Sequence, residues 1–550
     1  MNKNIAFGLD FGTTTTLVAI PGNQWPEIIR LGTVTNFMPS VLSSNSRDDW
    51  QVGENADAAP LDEQFLSPKS LITFNSESIT NGLGITISTE KAVKSVLKEV
   101  TYRLTKDYPG LLGSGKVRMS CPAIWTGPQR SLLAKYATEC GLVTDVDEIL
   151  DEPISAGIAW WWDKNIKSAK KSEGKALVFD LGGGTLDVAV LDIYNYQDYQ
   201  PQFTVLAARG TDIAGDKVDK IFADYIEARL VNEENFKLPT SQELTYLRAV
   251  LRRTAKECKE KLSRISSVNF EVDKRYYSTF PSFKISRVDF EHKIFDTTLQ
   301  RSLSCTKAAL KEAVMKQKGA RPEKIRDMDI TKICSEINFV ILAGGMSQIP
   351  CIGEELQKLM PNAQVEFVTT QSEANEGIVL GVANNNDFES LNIHRPGFDF
   401  ILKWKDKNGA IDEKVMYRAF TPLYSDVDIN LGNFKLGFQS ERWFPQNELE
   451  NNTAELSIRS VGGREVKLKF TDATLNSAIK LTAYKNTPID FKIYIDGTII
   501  VEDSVRQHFY RVREWPFIRL GVSSQSDPEL FIEKTDGTES KFAGYENWRE

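Results

Sequence analysis

Two stretches of the 550-residue chain set a carboxylate, a glycine and hydroxyls at fixed offsets beyond an apolar run. In Ala176–Ile193, ALVFDLGGGTLDVAVLDI, the run ends at Asp180. It turns through Gly182, Gly183, Gly184 and Thr185, then restarts at Leu186 beside Asp187. Ile5–Ile20, IAFGLDFGTTTTLVAI, repeats the scheme 170 positions earlier with Asp10, Gly12, Thr13 and Thr14. Phosphate oxygens need convergent N–H donors, which a Gly-rich turn supplies as a backbone nest, and hydroxyls add donors. Carboxylates at strand ends suit Mg²⁺ held mainly through its waters. One Gly-rich turn after a strand reads as readily as an ordinary tight turn. Two such hairpins, far apart in sequence, can close on one nucleotide from both sides.

Each stretch must sit on a sheet, and the segments between them supply its neighbours. Thr89–Lys106 carries a helical stripe of Ala92, Val93, Val96, Leu97, Val100 and Leu104. Val117–Ile124 reads as a strand, and Pro128 and Gln129 start a helix that Gly141 closes. Asp147–Leu150 reads as a short strand. Glu152-Pro153 opens a helix to about Asp163, with proline in the tolerated first turn. The lysine-rich stretch Lys164–Lys175 reads as a solvated loop. Phe203–Ala207 reads as a strand, Val218–Leu230 and Gln242–Leu262 as helices. Ile337–Leu342 is a buried strand followed by Gly344-Gly345-Met346-Ser347-Gln348, and Glu373–Ala383 is the last clear helix. From Asn384 onward short alternating runs predominate, among them Phe398–Trp404, Glu455–Arg459 and Phe517–Val522, separated by turns such as Gly462-Gly463 and Asp496-Gly497. Trp160-Trp161-Trp162 reads either as core packing or as an exposed partner-binding spot.

The length calls for several domains. Hydrophobic residues at 41% and charged residues at 26% are ordinary for a soluble globular protein. A net charge of −8 argues against a general nucleic-acid binder and gives no basis for an anionic membrane partner. Six cysteines without a CxxC suit reduced thiols, hence a cytoplasmic protein. No apolar signal-peptide region opens the chain, and no run approaches the ~20 apolar residues of a membrane span. Three histidines, none near another ligand type, argue against a catalytic triad or a histidine metal centre.

The order of motifs resembles the Hsp70 family of the actin-like ATPase superfamily, from roughly Ile5 to Ala383. LDFGTTTT and FDLGGGTLDV are similar to its two phosphate motifs, and ILAGGMSQIP to its adenosine motif. DEPISAGIAW is similar to its connecting helix, and CPAIWTGPQRSLLAKYATECGL to the segment before that helix. The resemblance implies an α/β fold, a two-lobed actin-like ATPase with lobe I at 1–190 and lobe II at 191–385. A linker at 386–397 and an all-β C-terminal domain at 398–550 follow. It implies ATP/ADP and Mg²⁺ as ligands, with Asp10, Glu152 and Asp180 around the hydrated metal. Thr13, Thr14 and Thr185 fall on phosphate contacts, Lys69 on the γ-phosphate, and Asp187 on the attacking water. Gly12, Gly182, Gly183, Gly184, Gly215, Gly344, Gly345 and Met346 line the nucleotide, while Lys256 and Lys259 bridge ribose. Thr15 and Thr16 are strand residues.

Departures from the family pattern occur within the adenosine region, and larger ones follow Ala383. Met346 and Gln348 stand where a Ser and an Arg are usual. Lys259 and Glu260 lie where an Arg usually stacks on adenine. FESLNIHRP replaces the hydrophobic linker, and no helical lid follows the β region. These mark a divergent, bacterial-type Hsp70-like protein. The implied function is an ATP-hydrolysing chaperone or remodelling protein that couples nucleotide state to protein binding through lobe closure. It would bind clients or a dedicated partner through the β domain, with a J-domain-like co-chaperone or exchange factor. The alternative is a nucleotide-gated subunit of one dedicated complex with little general chaperone activity. A small-molecule kinase of the same superfold is the third reading.

Overall fold

The computed structural model describes the chain apart from residues 1–4, 24, 47–48, 168–171, 197–199, 235, 275, 278–279, 319–326, 369–375, 387, 393–394, 425–436, 471–477, 496, 515–517, 521–528 and 538–550. Two sheets follow one plan. In the first the order is Leu150–Asp151, Lys116–Cys121, Ile5–Phe11, Thr15–Ile20 and Glu27–Ile29, with Met38–Pro39 also on Thr15–Ile20. In the second it is Gln364–Phe367, Phe339–Ala343, Gly174–Leu181, Leu186–Tyr196 and Gln200–Thr211, then Phe388–Asn392 and Ile518–Leu520. In each, an antiparallel hairpin lies beside two parallel strands. Both faces of these strands are covered, so they are near-continuous apolar runs. Phe7, Leu9, Phe11, Leu177, Phe179 and Leu181 are all buried.

Each half closes with a helix, Glu152–Lys167 and Gly377–Ala383, and the two pack on one another. The approach is too close for a side chain at 381, where a Cβ would overlap the Ser155 carbonyl. Helix Thr89–Asp107 buries the expected stripe of six apolar residues, and Ser88 caps it by accepting from the Lys91 amide at 3.2 Å. Helix Gly127–Glu139 starts with a Thr126–Gln129 capping box.

Several expectations need correction. The division at 190 falls inside strand Leu186–Tyr196. The whole second hairpin, from Gly174, belongs to the second sheet because Ala176–Asp180 pair in parallel with Phe339–Ala343. The expected linker holds strand Phe388–Asn392, paired in parallel with Gln200–Thr211 and antiparallel with Ile518–Leu520. Phe388 and Leu391 are buried there, and Phe388 packs edge-on to Phe203 at 6.3 Å. The Asp147–Leu150 strand is a 3₁₀ turn, Val146–Glu148, followed by Leu150–Asp151. The Pro153 helix runs on to Lys167, so the lysine-rich stretch is partly helical, and its residues 168–171 lie outside the described set. Residues 373–375 of the last expected helix, and Phe517, Gly521 and Val522, also lie outside it. Trp160 and Trp161 are core residues. Their ring N–H groups donate to Glu366 and to the Ser172 carbonyl, each at 3.0 Å.

Beyond residue 397 the described strands other than Ile518–Leu520 form two sheets. One is ordered Ile411–Tyr417, Phe398–Asp406, Leu449–Ser460, Ile479–Thr482. The other is ordered Gly437–Gln439, Asp490–Tyr494, Thr498–Glu502, Gln507–Glu514, Glu529–Thr535, Lys467–Phe470. This β-rich region rests on the first half of the chain. The buried Asp147 carboxylate accepts from the Ser460 hydroxyl (2.7 Å), the Gly462 amide (2.7 Å) and Arg464 Nε (2.8 Å). The Gly127 amide donates to the Ala419 carbonyl at 2.9 Å. No described helix is long and apolar enough to cross a membrane.

Candidate active site

Both hairpins turn towards one cavity of about 1230 Å³. The turns are closed identically: Gly12 N–H donates to the Thr15 carbonyl and Gly182 N–H to the Thr185 carbonyl, each at 3.0 Å. They also interlock. A Cβ on Gly183 would strike the Thr14 methyl, and one on Gly184 the Thr13 methyl. Side chains from one turn therefore occupy the space that the missing side chains of the other leave.

Of the sequence-derived residues, Asp10, Gly12, Thr13, Thr14, Lys69, Glu152, Asp180, Gly182, Gly183, Gly184, Thr185, Lys256, Lys259, Gly344, Gly345 and Met346 line this cavity. Thr15 lines it too, while the buried Thr16 hydroxyl pairs with Ser40 at 2.9 Å. Gly215 stands behind the second turn, its amide donating to the Gly182 carbonyl at 3.1 Å. Asp187 lies one layer back, cross-strand from Asp180. Gly344 has φ +77, and a Cβ there would overlap Asp180 Oδ1, so glycine is required. Lys259 is already engaged in an ion pair with Asp219 at 2.6 Å and a hydrogen bond to the Gly215 carbonyl at 3.3 Å. Any ribose contact must share it, whereas Lys256 is exposed on the same wall.

Charge in the cleft is unbalanced. Asp10, Glu152, Asp180 and Asp187 are buried around the phosphate turns, where buried Lys69 pairs with Glu152, while buried Lys259 is taken up by buried Asp219. Burial pushes Asp10 up to about 6, although Lys69 and a 2.9 Å hydrogen bond from Ser120 pull it down. Burial, then the Glu152 charge, pushes Asp187 up to about 7, and burial, then the charges of Glu152, Asp187 and Asp10, holds Asp180 well above the usual carboxylate range. Lys69 is held protonated by Glu152 and Asp10 against the cost of its burial. Asp187 Oδ1 is buried with no hydrogen-bond partner among the described residues. Such a donor-poor carboxylate set fits a hydrated divalent cation and donor-bearing ligands. Among the described residues no group of three acidic, histidine or cysteine side chains is arranged to hold an ion directly.

Residues 103–384, more than half of the chain, match the family model described as Hsp70 protein. The chain belongs to the Hsp70 family. Membership gives this ATP-binding, Hsp70-like protein the actin-like ATPase α/β fold. Members of the family bind ATP or ADP with Mg²⁺ and take protein clients. The match begins after the first hairpin, so this Hsp70-like chain's N-terminal turn is tied to the cleft by its geometry alone.

Sequence reasoning missed the polar residues that hold the cleft carboxylates from behind. Ser120 orients Asp10. Asp151, next to Glu152, is held by buried Arg130 and by Asn392 Nδ2 at 2.8 Å. Arg395 donates to the Ile124 carbonyl, and Arg130 stacks 3.7 Å from the Phe420 ring centroid. All of these pair residues distant in sequence. The only local signal was the capping box that fixes the turn bearing Arg130.

Proposed function

We propose that the cleft hydrolyses ATP to ADP and phosphate, and that lobe closure couples nucleotide state to protein binding, as in a chaperone or remodelling ATPase. The observation that carries this is Asp187, a buried carboxylate with an unpaired oxygen directly behind the phosphate turns. That oxygen accepts a hydrogen bond from a water aimed at the terminal phosphorus. Water attacks, the bond from phosphorus to the bridging oxygen breaks, ADP leaves with the bond electrons, and the water's proton passes to Asp187 and on to solvent. Lys69, the amides of the two turns and the hydroxyls of Thr13, Thr14 and Thr185 hold the terminal phosphate. Phosphoryl transfer needs such positioning and charge neutralisation more than a strong base. Mg²⁺, on Asp10, Glu152 and Asp180 through water, supplies charge neutralisation when bound. Steady-state turnover of the full chain with Mg-ATP tests the reading. Lys69→Ala is expected to lower kcat about 100-fold or more, and wild-type turnover in that variant would sink it, as would phosphate transfer to a sugar.

A second reading, a nucleotide-gated subunit serving one partner, is favoured by one observation. The segment between the ATPase body and the β-rich region is a strand with neighbours on both sides, one of them from the β-rich region itself. A connector held that way resists release. Small-angle scattering with ATP and with ADP separates the readings: an unchanged profile, with no peptide-stimulated turnover, favours the dedicated subunit.

A further inference from the structure

Ser67 begins the short helix Pro68–Thr73, which carries Lys69. A serine in that place ordinarily sits extended and caps its own helix with its hydroxyl. Here it does neither. Ser67 has φ 59 and ψ 52, the left-handed region that a serine enters at a cost, and it makes no cap hydrogen bond. Its hydroxyl donates instead to Asp216 Oδ2 at 3.0 Å, a residue of helix Gly215–Asn232 in the opposite half. Asp216 in turn donates its amide to the Gly183 carbonyl at 2.7 Å, and its own carbonyl accepts from Arg252 at 3.2 Å. One hydrogen bond across the cleft thus joins the turn that bears Lys69 to Asp216, which is itself bonded to the turn of Gly183 and Gly184.

We propose that Ser67 is a positioning residue for Lys69, seating the ammonium only when Asp216 and its glycine turn have closed over the nucleotide. With the lobes apart the Ser67–Asp216 bond is lost. Ser67 then relaxes to an extended cap, and the rotation of its helix withdraws Lys69. A backbone outlier is retained here because the cross-cleft bond holds it, which makes the strain part of the gate.

The proposal rests on the reading that this cleft hydrolyses ATP, and the test separates the two. Single-turnover hydrolysis, ATP affinity and thermal midpoint are measured on the full chain carrying Ser67→Ala, Ser67→Gly, Ser67→Asn or Lys69→Ala. Misplacing one catalytic group by an ångström costs up to about 100-fold in rate. Ser67→Ala and Ser67→Gly are expected to lower the hydrolytic rate about 10- to 100-fold, with ATP affinity within about threefold of wild type. The thermal midpoint of Ser67→Gly is expected to be unchanged or higher, since glycine removes the strain. Asn tolerates the left-handed region and can donate to Asp216, so Ser67→Asn recovers most of the rate. A merely structural serine would lower stability and rate together and would not be rescued by Asn, and either result overturns the proposal. So does wild-type turnover in Ser67→Ala when Lys69→Ala is inactive, while an active Lys69→Ala overturns the hydrolysis reading itself.

Discussion

The two phosphate turns share a backbone and differ in what hangs from it. Asp10 and Asp180 open them, identical 3.0 Å hydrogen bonds close them, and both lie beside two parallel strands in sheets of the same order. At the next positions one turn has Thr13 and Thr14 and the other Gly183 and Gly184. Seven residues after the first aspartate stands Leu17 in one and Asp187 in the other. Leu17 is buried against Ala19, Val379 and Ala383, whereas Asp187 is buried with an unpaired oxygen. A duplicated scaffold has therefore been specialised. The first turn carries hydroxyls and a buried leucine, the second carries glycines and a buried carboxylate with an oxygen unpaired among the described residues.

The largest expected effect breaks that asymmetry at its functional end. Asp187→Asn keeps shape and removes the proton acceptor, so single-turnover hydrolysis should fall about 10²–10³-fold while ATP affinity stays within a few-fold. Wild-type rates would remove Asp187 from the chemistry and leave the two turns equivalent. A smaller effect probes the interlock. Gly184→Ala drives a methyl into Thr13, costing about 1–3 kcal/mol of nucleotide binding or stability. Thr13→Ser removes the opposing methyl, so the double variant should recover part of the loss, with a coupling of about 1 kcal/mol by double-mutant cycle in calorimetry. Strict additivity would mean the turns do not fit as complementary halves.

What could be read from the chain beforehand follows the same division. Asp10, Asp180 and the glycines were legible because strand, turn and strand are contiguous and each residue type has a local reason. The interlock of Gly183 with Thr14 was not, since it depends on how two distant turns meet. Ser120 beneath Asp10, and Ser67 reaching Asp216, were silent for that reason. The strand Phe388–Asn392 is not legible in FESLN, which is short and has apolar residues only at Phe388 and Leu391, without the alternation of a strand. Phe203 and its strand, nearly two hundred residues away, are part of the surface that Phe388 and Leu391 cover. The boundary at 190 failed because lobe membership is decided by pairing with Phe339–Ala343, which leaves no mark on the hairpin itself.

The smallest expected effect is on stability. Asp187 is raised from 3.8 to about 7, and Asp10 from 3.8 to about 6, chiefly by burial. For a carboxylate raised in the folded state, the stabilising contribution is complete below its unfolded value and is lost as pH rises through the folded one. The nucleotide-free, chelator-treated protein should therefore lose stability between about pH 4 and pH 7–8 from these two groups. Asp187→Asn cannot ionise, so its thermal midpoint should exceed wild type at pH 8 by a few degrees, roughly 1–2 kcal/mol, and by less at pH 5. Leu17→Asn, at the matching position of the first turn, removes apolar packing and no charge, so it should destabilise equally at both pH values. Differential scanning calorimetry of the two variants tests this directly. A pH-independent gain from Asp187→Asn would show that Asp187 costs stability through its shape rather than its charge, and that the second turn keeps its carboxylate at no electrostatic expense.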